Sequence, residues 1–106
     1  MTKRRYIMTF YERESVIEAK LRKKVSGAGG RFYKWVSPGN DGVPDQIAIL
    51  PGGRIIFVEM KTNKGELTEI QKYQQEILKK LGCDVATVYG AEGVENFVLE
   101  QIADEV

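Results

Sequence analysis

GVPDQIAILPGGRIIFVEMK, residues 42–61, contains two apolar segments on either side of Pro51-Gly52-Gly53. Gly and Pro mark tight turns, and runs rich in Ile, Val and Phe favour strands. We therefore predict a β-hairpin with strands at residues 45–50 and 54–61. With the strand pairing centred on Gly52, Asp45 lies directly opposite Glu59.

Helical and strand patterns alternate on both sides of this hairpin. Residues 12–26 carry apolar side chains at helical spacing, and residues 31–36 are aromatic and β-rich, which predicts a helix followed by a strand. Residues 37–44 have the composition of a loop. Beyond the hairpin, the sequence predicts a helix at 68–81, a strand at 84–89 and a short helix at 94–102. The helix at 68–81 has an apolar face made by Ile70, Tyr73, Ile77, Leu78 and Leu81.

The resulting element order, αβββαβ with a last helix, predicts the fold class. The helix between the third and fourth strands allows a right-handed crossover to a parallel neighbour, whereas the hairpin strands are antiparallel. We therefore expect an α/β fold with a mixed central sheet flanked by helices. A chain of 106 residues has room for a single core, so residues 1–106 are expected to form one domain.

The composition excludes several kinds of site. The chain has no histidine, which rules out histidine bases, Ser-His and Cys-His nucleophile pairs and histidine metal sites. The single cysteine, Cys83, cannot form an internal disulfide or a cysteine-rich zinc site. Any catalysis must then use carboxylates, lysine or a hard metal ion bound by oxygen. No apolar run could span a membrane and no signal segment follows the basic N-terminus, so we expect a cytoplasmic protein.

The net charge of +1 conceals an uneven distribution of charge along the chain. Residues 1–34 carry ten lysines and arginines against three glutamates, a net charge of +7, whereas residues 35–106 carry a net charge of −6. A basic half suggests a polyanionic partner such as a nucleic acid. The alternative is a basic helix face that is merely solvated.

Asp45 and Glu59 are the most informative pair, because opposite residues of an antiparallel hairpin project to the same side of the sheet. Their Cβ atoms would lie roughly 4.5–5.5 Å apart, where two like charges destabilise a sheet unless something neutralises them. Mg²⁺ would do so, since it prefers oxygen ligands and retains several waters. The structural alternative is that Asp45 ends the loop and Glu59 pairs with Lys61 on an exposed strand.

Lys61 and an acid of the first helix complete the candidate site. Lys61 lies two residues after Glu59 on the same face, where its ammonium can position an attacking water or stabilise charge on a phosphate. Glu14 and Glu18 share one stripe of the helix, and Glu18 lies beside the apolar positions. We take Glu18 as the site residue and Glu14 as the second candidate. The alternative for Glu18 is a boundary residue that pairs with Arg22.

These residues carry a resemblance to a known superfamily. Gly42-Val43-Pro44-Asp45, followed after fourteen positions by Glu59-Met60-Lys61, resembles the PD-(D/E)xK nucleases. More narrowly, the chain resembles the virus-type replication-repair nuclease domains (VRR-NUC) over about residues 14–90. The supporting stretches are IEAKL (17–21), residues 29–61 and the helix that carries Gln71 before LGCDV (81–85). The resemblance implies a restriction-endonuclease-like αβββαβ core, in agreement with the predicted element order.

The resemblance also implies a role for each matched residue. The catalytic set would be Glu18, Asp45, Glu59, Lys61 and Gln71. Mg²⁺ or Mn²⁺ would be bound by Asp45, by Glu59 and by the backbone carbonyl of Met60, with Glu18 as a further ligand through water. Lys61 would be the catalytic lysine. Gln71 would face the site from the second helix, and its alternative is an ordinary exposed position.

The function implied by the resemblance is a Mg²⁺/Mn²⁺-dependent DNA endonuclease that hydrolyses phosphodiester bonds with a metal-activated water. Small members of the family resemble dimeric resolvases of four-way (Holliday) junctions. We therefore expect a homodimer selective for branched DNA, acting in the bacterial host cytoplasm if it is encoded by a phage or prophage. The alternatives are a flap, nick or duplex nuclease, a non-catalytic DNA-binding module, and a metal-binding structural domain.

Overall fold

The computed structural model describes residues 12–102, which form four strands, three α-helices and a closing π-helical turn. In chain order the elements are α1 (Glu14–Gly27), β1 (Arg31–Lys34), β2 (Gln46–Leu50), β3 (Arg54–Lys61), α2 (Glu69–Lys80), β4 (Asp84–Tyr89), α3 (Gly90–Phe97) and the turn Val98–Ile102. The predicted αβββαβ order is confirmed. The basic segment before residue 12, which we expected near DNA, lies outside the described residues.

The four strands form one mixed sheet in the order β1-β2-β3-β4. The pairs β1–β2 and β2–β3 are antiparallel, and β4 runs parallel to β3 after the α2 crossover. The predicted turn is present: the Gly53 N–H donates to the Leu50 carbonyl, and Gly52 and Gly53 have φ angles of 88° and 82°. Glycine tolerates this left-handed conformation, which other residues rarely adopt, so the turn fixes the register of the hairpin.

The core lies on one face of the sheet, beneath α1 and α3. The apolar spacing of α1 places Ile17, Leu21 and Val25 in full burial against this face, as the sequence predicted. The other core residues are Phe32, Ala48, Leu50, Ile56, Val58, Met60, Val88, Val94 and Phe97. Because side chains alternate along a strand, the remaining strand residues point to the opposite face, where α2 lies.

Helix α2 meets the sheet through polar side chains, and its predicted apolar face is largely exposed. Gln75 is buried and donates to the Thr87 hydroxyl, whereas Ile70, Tyr73 and Ile77 are exposed. Leu81, just beyond the helix, is also exposed. The sequence pattern correctly identified an apolar stripe, but the hydrogen bonds of the glutamines turn a different side of the helix towards the sheet.

Several element boundaries differ from the sequence prediction: α1 begins at Glu14 rather than at residue 12, β2 begins at Gln46 rather than at residue 45, and α2 spans Glu69–Lys80 rather than residues 68–81. Strand β1 ends at Lys34 rather than at residue 36, although the Trp35 N–H still donates to the Asp45 carbonyl at 2.9 Å. Helix α3 begins at Gly90, four residues before the predicted start, because Gly90 follows β4 directly and its φ of 64° turns the chain into the helix. Within residues 12–102, no helix is long and apolar enough to cross a membrane.

Candidate active site

The hairpin brings Asp45 and Glu59 together. Gln46 is paired with Val58 in the antiparallel register, and continuing that register by one residue places Asp45 opposite Glu59. The Trp35 N–H bond to the Asp45 carbonyl holds the aspartate backbone against β1 at this point. The pairing predicted from the sequence is therefore the register that the strands adopt.

Glu59 is a buried carboxylic acid, with only 5% of the residue exposed. Burial and, secondly, the negative charge of Asp45 raise the pKa of Glu59 from 4.5 to about 7, while the Lys61 ammonium acts in the opposite direction. A residue this buried does not fit the alternative of a surface ion pair between Glu59 and Lys61. With a pKa of about 7, the ionisation of Glu59 near neutral pH is sensitive to any positive charge placed beside it.

Asp45 is partly buried, and one oxygen of its carboxylate has no hydrogen-bond donor in the described structure. Burial raises the pKa of Asp45 above 3.8, a hydrogen bond with its own backbone and the charge of Lys34 lower it, and the charges of Glu18 and Glu14 raise it further. One of its oxygens, Oδ1, is buried without a hydrogen-bond partner in the described structure. A buried carboxylate oxygen without a donor is costly unless a ligand or cation occupies its lone pairs.

Gln71 faces this pair from the first turn of α2. Its amide nitrogen donates to Oε2 of Glu59 at 3.2 Å, so the alternative of an ordinary exposed glutamine does not describe it. Its amide oxygen accepts from the Thr68 N–H at 2.9 Å, and the Gln71 N–H donates to the Thr68 hydroxyl. This reciprocal capping box fixes the orientation of the amide towards Glu59.

The two acids of α1 have different surroundings. Glu18 accepts a hydrogen bond from Arg22 at 2.7 Å, as in the boundary-residue alternative, and its other oxygen lies 3.7 Å from the Lys34 ammonium. Its charge also raises the pKa of Asp45, so it lies close to the site. The charge of Glu14 raises the pKa of both Asp45 and Glu59. Of the two acids, Glu14 therefore acts on both strand carboxylates.

The donor set fits a hard divalent cation with few protein ligands. Within residues 12–102, no group of three or more His, Cys, Asp or Glu residues could hold a metal ion, so a cation at this site would have at most two carboxylates as direct ligands. The unpartnered Oδ1 of Asp45 and the raised pKa of both acids are what such a cation would relieve. Mg²⁺ commonly binds one or two carboxylates together with water and substrate phosphate.

Some neighbours of the site were missed by the sequence reasoning. Thr68 had a readable signal, since Thr-x-x-Gln before an apolar run is a capping-box pattern. The Trp35 ring packs on Phe57 at 4.8 Å between centroids, just beside Asp45. Gln46 is fully buried and both polar atoms of its side chain lack partners in the described structure. Nothing in the sequence pattern separates Gln46 from an exposed strand residue.

Comparison with known proteins adds two relatives. No family model matches the sequence. A protein of Acyrthosiphon pisum secondary endosymbiont phage 1, named "Putative nuclease p44", is 45% identical over 73 residues, which cover 69% of this chain and 78% of that protein. A solved structure described as "VRR_NUC domain" superposes with a TM-score of 0.78 and 27% identity, covering 83% of this chain and 96% of the other.

Proposed function

The chain belongs to the VRR-NUC family of nuclease domains, and from this premise we propose that it is a divalent-metal-dependent DNA endonuclease built around Asp45 and Glu59. Membership of the family makes it a nuclease, a hydrolase acting on nucleic acid. The identity of the metal, the preference for DNA and the endonucleolytic cut belong to the proposal.

The observation that carries the proposal is the opposition of two acids at a largely buried position of the sheet. Burial raises the pKa of both carboxyl groups, and the charge of Asp45 raises the pKa of Glu59 further, so the pair weakens the fold when both are ionised. A structural role would favour one acid with a basic partner. Two acids and an unpartnered oxygen instead suit a cation that arrives with a phosphate substrate.

In the proposed mechanism, some residues would bind the cation and Gln71 would orient one of its ligands. Asp45, Glu59 and the backbone carbonyl of Met60 would hold the cation, and Glu18 would add a ligand through water. When bound, the cation supplies positive charge to the carboxylates and to the phosphate under attack. Gln71 keeps the Glu59 carboxylate oriented through its amide N–H.

Lys61 is the proposed catalytic lysine. Its ammonium lowers the pKa of Glu59, which indicates that its charge acts on that carboxylate. From this position it orients the attacking water and stabilises negative charge that builds on the phosphate. The water loses a proton as its oxygen bonds to phosphorus in line, the bond from phosphorus to the 3′ oxygen breaks, and the 3′ oxygen takes up a proton from solvent, leaving a 5′-phosphate and a 3′-hydroxyl.

Branched DNA cut by a homodimer is the proposed substrate and assembly. Residues 1–34 of the sequence carry the net charge of +7, and the described part of that half places lysines and arginines along α1 and at the end of β1. A four-way junction has two strands to cut, and two sites related by a two-fold axis would cut them symmetrically. The proposed place of action is the cytoplasm of a bacterial host.

A panel of labelled DNAs tests this proposal. Duplex, nicked, flap and four-way junction DNAs at equal concentration are incubated with the protein, with Mg²⁺ and with a chelator, and the cuts are mapped. We expect Mg²⁺-dependent cuts on two opposed strands of the junction. Cleavage confined to flap, nicked or duplex DNA would identify that DNA as the substrate instead of the junction. Binding without cleavage would show that the protein is a non-catalytic DNA-binding module.

A further inference from the structure

An aromatic surface borders the candidate site on the α2 side of the sheet. It consists of Tyr33 on β1, Trp35 just beyond that strand and Phe57 on β3. Tyr33 is 53% exposed, and the other two residues are partly exposed. None of the three belongs to the core on the opposite face of the sheet. Exposed apolar surface of this kind often marks an interaction site.

The strand register places the aromatic surface directly beside the two acids. Continuing the register of β1, β2 and β3 by one residue puts Trp35, Asp45 and Glu59 in one row across the sheet. The Trp35 N–H bond to the Asp45 carbonyl belongs to this row. Tyr33 and Phe57 lie in the next row, about 6.5 Å along the strands. All three aromatic residues therefore lie within one row of the carboxylates.

The Trp35 ring lies across the sheet. Its centroid is 4.8 Å from the centroid of the Phe57 ring, with an angle of 45° between the two planes. Because β2 separates β1 from β3, the indole crosses β2 next to Asp45 to make this contact. The contact restrains the indole before any ligand binds, which reduces the ordering cost of a ligand that packs on it.

Helix α2 and the loop before β2 enclose the site from the β4 side. Gln71 donates to Glu59 from α2, which lies over β4. In the loop, Gly42 lies so close to Ile70 of α2 that an added Cβ would come within 2.9 Å of it. Towards β1 the same face of the sheet stays uncovered, as the exposure of Tyr33 indicates. A substrate whose phosphate reaches the acids on this face therefore passes over the aromatic surface.

Basic side chains on β1 favour a nucleic acid as the occupant of this surface. Arg31 is exposed and lies two residues before Tyr33 on the same side of the strand. The Lys34 side chain is 64% exposed. Proteins that bind single-stranded nucleic acids combine cationic side chains, which follow the phosphates, with aromatic rings on which the bases stack. The segment Arg31–Trp35 has this combination at the edge of the sheet.

We propose that the aromatic surface stacks an unpaired nucleobase next to the phosphate that is cut. The inference rests on the proposed function, because it assigns the phosphate to the acids and their cation. The rings carry no charge and fit the flat face of a base. In a duplex that face is covered by the neighbouring bases, so the nucleotide must leave the stack, which costs least where it is already unpaired. The preferred DNA therefore has an unpaired or readily opened nucleotide at the cut, as at a branch point.

Binding to abasic DNA tests the stacking from the DNA side. The Asp45→Asn protein, which we expect to bind DNA without cutting it, is titrated in Mg²⁺ with four-way junctions. Each branch-point nucleotide is replaced in turn by an abasic one. Loss of the stacked base should weaken binding by about 5-fold to about 100-fold, the range expected for one base on an aromatic side chain.

Substitution of Tyr33 in the same background tests the stacking from the protein side. Tyr33→Ala should weaken binding of the unmodified junction by a similar factor and should remove the effect of the abasic nucleotide, since both changes delete one contact. Tyr33→Phe keeps the ring and should keep both properties. Tyr73→Ala is the matched control, because Tyr73 is a tyrosine of similar exposure, 59%, on α2 outside the aromatic surface.

Tryptophan fluorescence gives a second readout, because Trp35 is the single tryptophan of the chain. Binding of the junction should quench this fluorescence, and the abasic nucleotide that weakens binding should also remove the quenching at saturating DNA. Neither measurement requires cleavage. Both therefore decide on the aromatic surface even where the panel of labelled DNAs gives no cut.

Equal affinity for the unmodified junction and for every abasic junction would overturn the proposal and leave the nuclease function intact. Equal DNA affinity of Tyr33→Ala and Tyr73→Ala would overturn it as well. If Tyr33→Ala instead changed the sedimenting mass of the protein without changing its affinity for DNA, the aromatic surface would belong to a protein contact and the proposal would be wrong.

Discussion

The side-chain amide of Gln71 joins the cap of α2 to the buried carboxylate of Glu59. Its nitrogen donates to Glu59 Oε2 at 3.2 Å, and its oxygen accepts from the Thr68 N–H at 2.9 Å. The nitrogen and the oxygen of the same amide are therefore both hydrogen-bonded, which fixes the orientation of the amide. A residue that starts a helix thereby restrains an acid on a neighbouring strand, and this connection can be tested from either end.

Changing Gln71 should move the pH dependence of cleavage. A hydrogen bond to the charged form lowers a carboxyl pKa, so Gln71→Ala should raise the pKa of Glu59 and shift the acidic limb of the pH–rate profile upward. Gln71→Glu should shift that limb further, because it adds a negative charge beside Glu59. Profiles that superpose on wild type would mean that the amide does not act on the carboxylate.

Changing Thr68 tests the same connection through the cap. Thr68→Ala removes the hydroxyl that accepts from the Gln71 N–H and should lower the free energy of unfolding by about 1 kcal/mol. It should also lower the cleavage rate, because the amide of Gln71 loses part of its restraint. Thr68→Ser keeps the cap and serves as the control. Loss of stability in urea titrations with an unchanged cleavage rate would show that the cap is only structural.

The raised pKa of Glu59 predicts how stability changes with pH in the metal-free protein. The pKa is about 7 in the folded state against 4.5 as the reference value, so the folded state binds the proton more tightly. The free energy of unfolding should therefore decrease as pH rises from about 4.5 to about 7, by on the order of 3 kcal/mol for this group.

Glu59→Gln isolates this effect, because the variant stays neutral over the whole range. With a chelator present, wild type should lose stability relative to Glu59→Gln as pH rises to about 7, and the difference in unfolding free energy between the two proteins should then stay constant. Mg²⁺ should stabilise wild type more at pH 8 than at pH 5, since the cation competes with the proton. A difference that does not change with pH would contradict the burial of an ionisable Glu59.

Lys61 offers a prediction about rate. Lys61→Ala should lower the cleavage rate by orders of magnitude while Mg²⁺ affinity holds or rises, because a positive charge near the carboxylates is lost. Lys61→Arg should recover only part of the rate, since a planar guanidinium presents its donors differently from an ammonium. Single-turnover rates and Mg²⁺ titrations measure the two effects separately. Equal cleavage rates for wild type and Lys61→Ala would show that Lys61 is a charged strand residue without a catalytic role.

Local patterns predicted the hairpin and its register well, because turn chemistry and alternation act over a few residues. The Pro51-Gly52-Gly53 turn alone places Asp45 opposite Glu59, and the structure has that register. The orientation of α2 was not predictable in the same way. Its apolar stripe suggested contact with the sheet, whereas the hydrogen bonds of Gln71 and Gln75 with residues distant in sequence decide which side faces inward.

The surroundings of α1 show the same limit. Burial of Ile17, Leu21 and Val25 followed from helical spacing. The contact between Glu18 and Lys34 and the reach of Glu14 to both strand acids depend on where α1 crosses the sheet. That crossing is set by packing across the whole core. Helical periodicity gives the angular position of Glu14 and Glu18 around the helix, but not the point at which the helix crosses the sheet.

The most direct test of the carboxylate site is cleavage by Asp45→Asn in saturating Mg²⁺. The amide keeps the shape of the side chain and removes one of the two opposed charges. We expect no cleavage above background, retained DNA binding, and metal-free stability at neutral pH equal to or greater than that of wild type, because the pKa of Glu59 falls when the Asp45 charge is removed. A folded Asp45→Asn protein that cuts DNA at close to the wild-type rate would contradict the account.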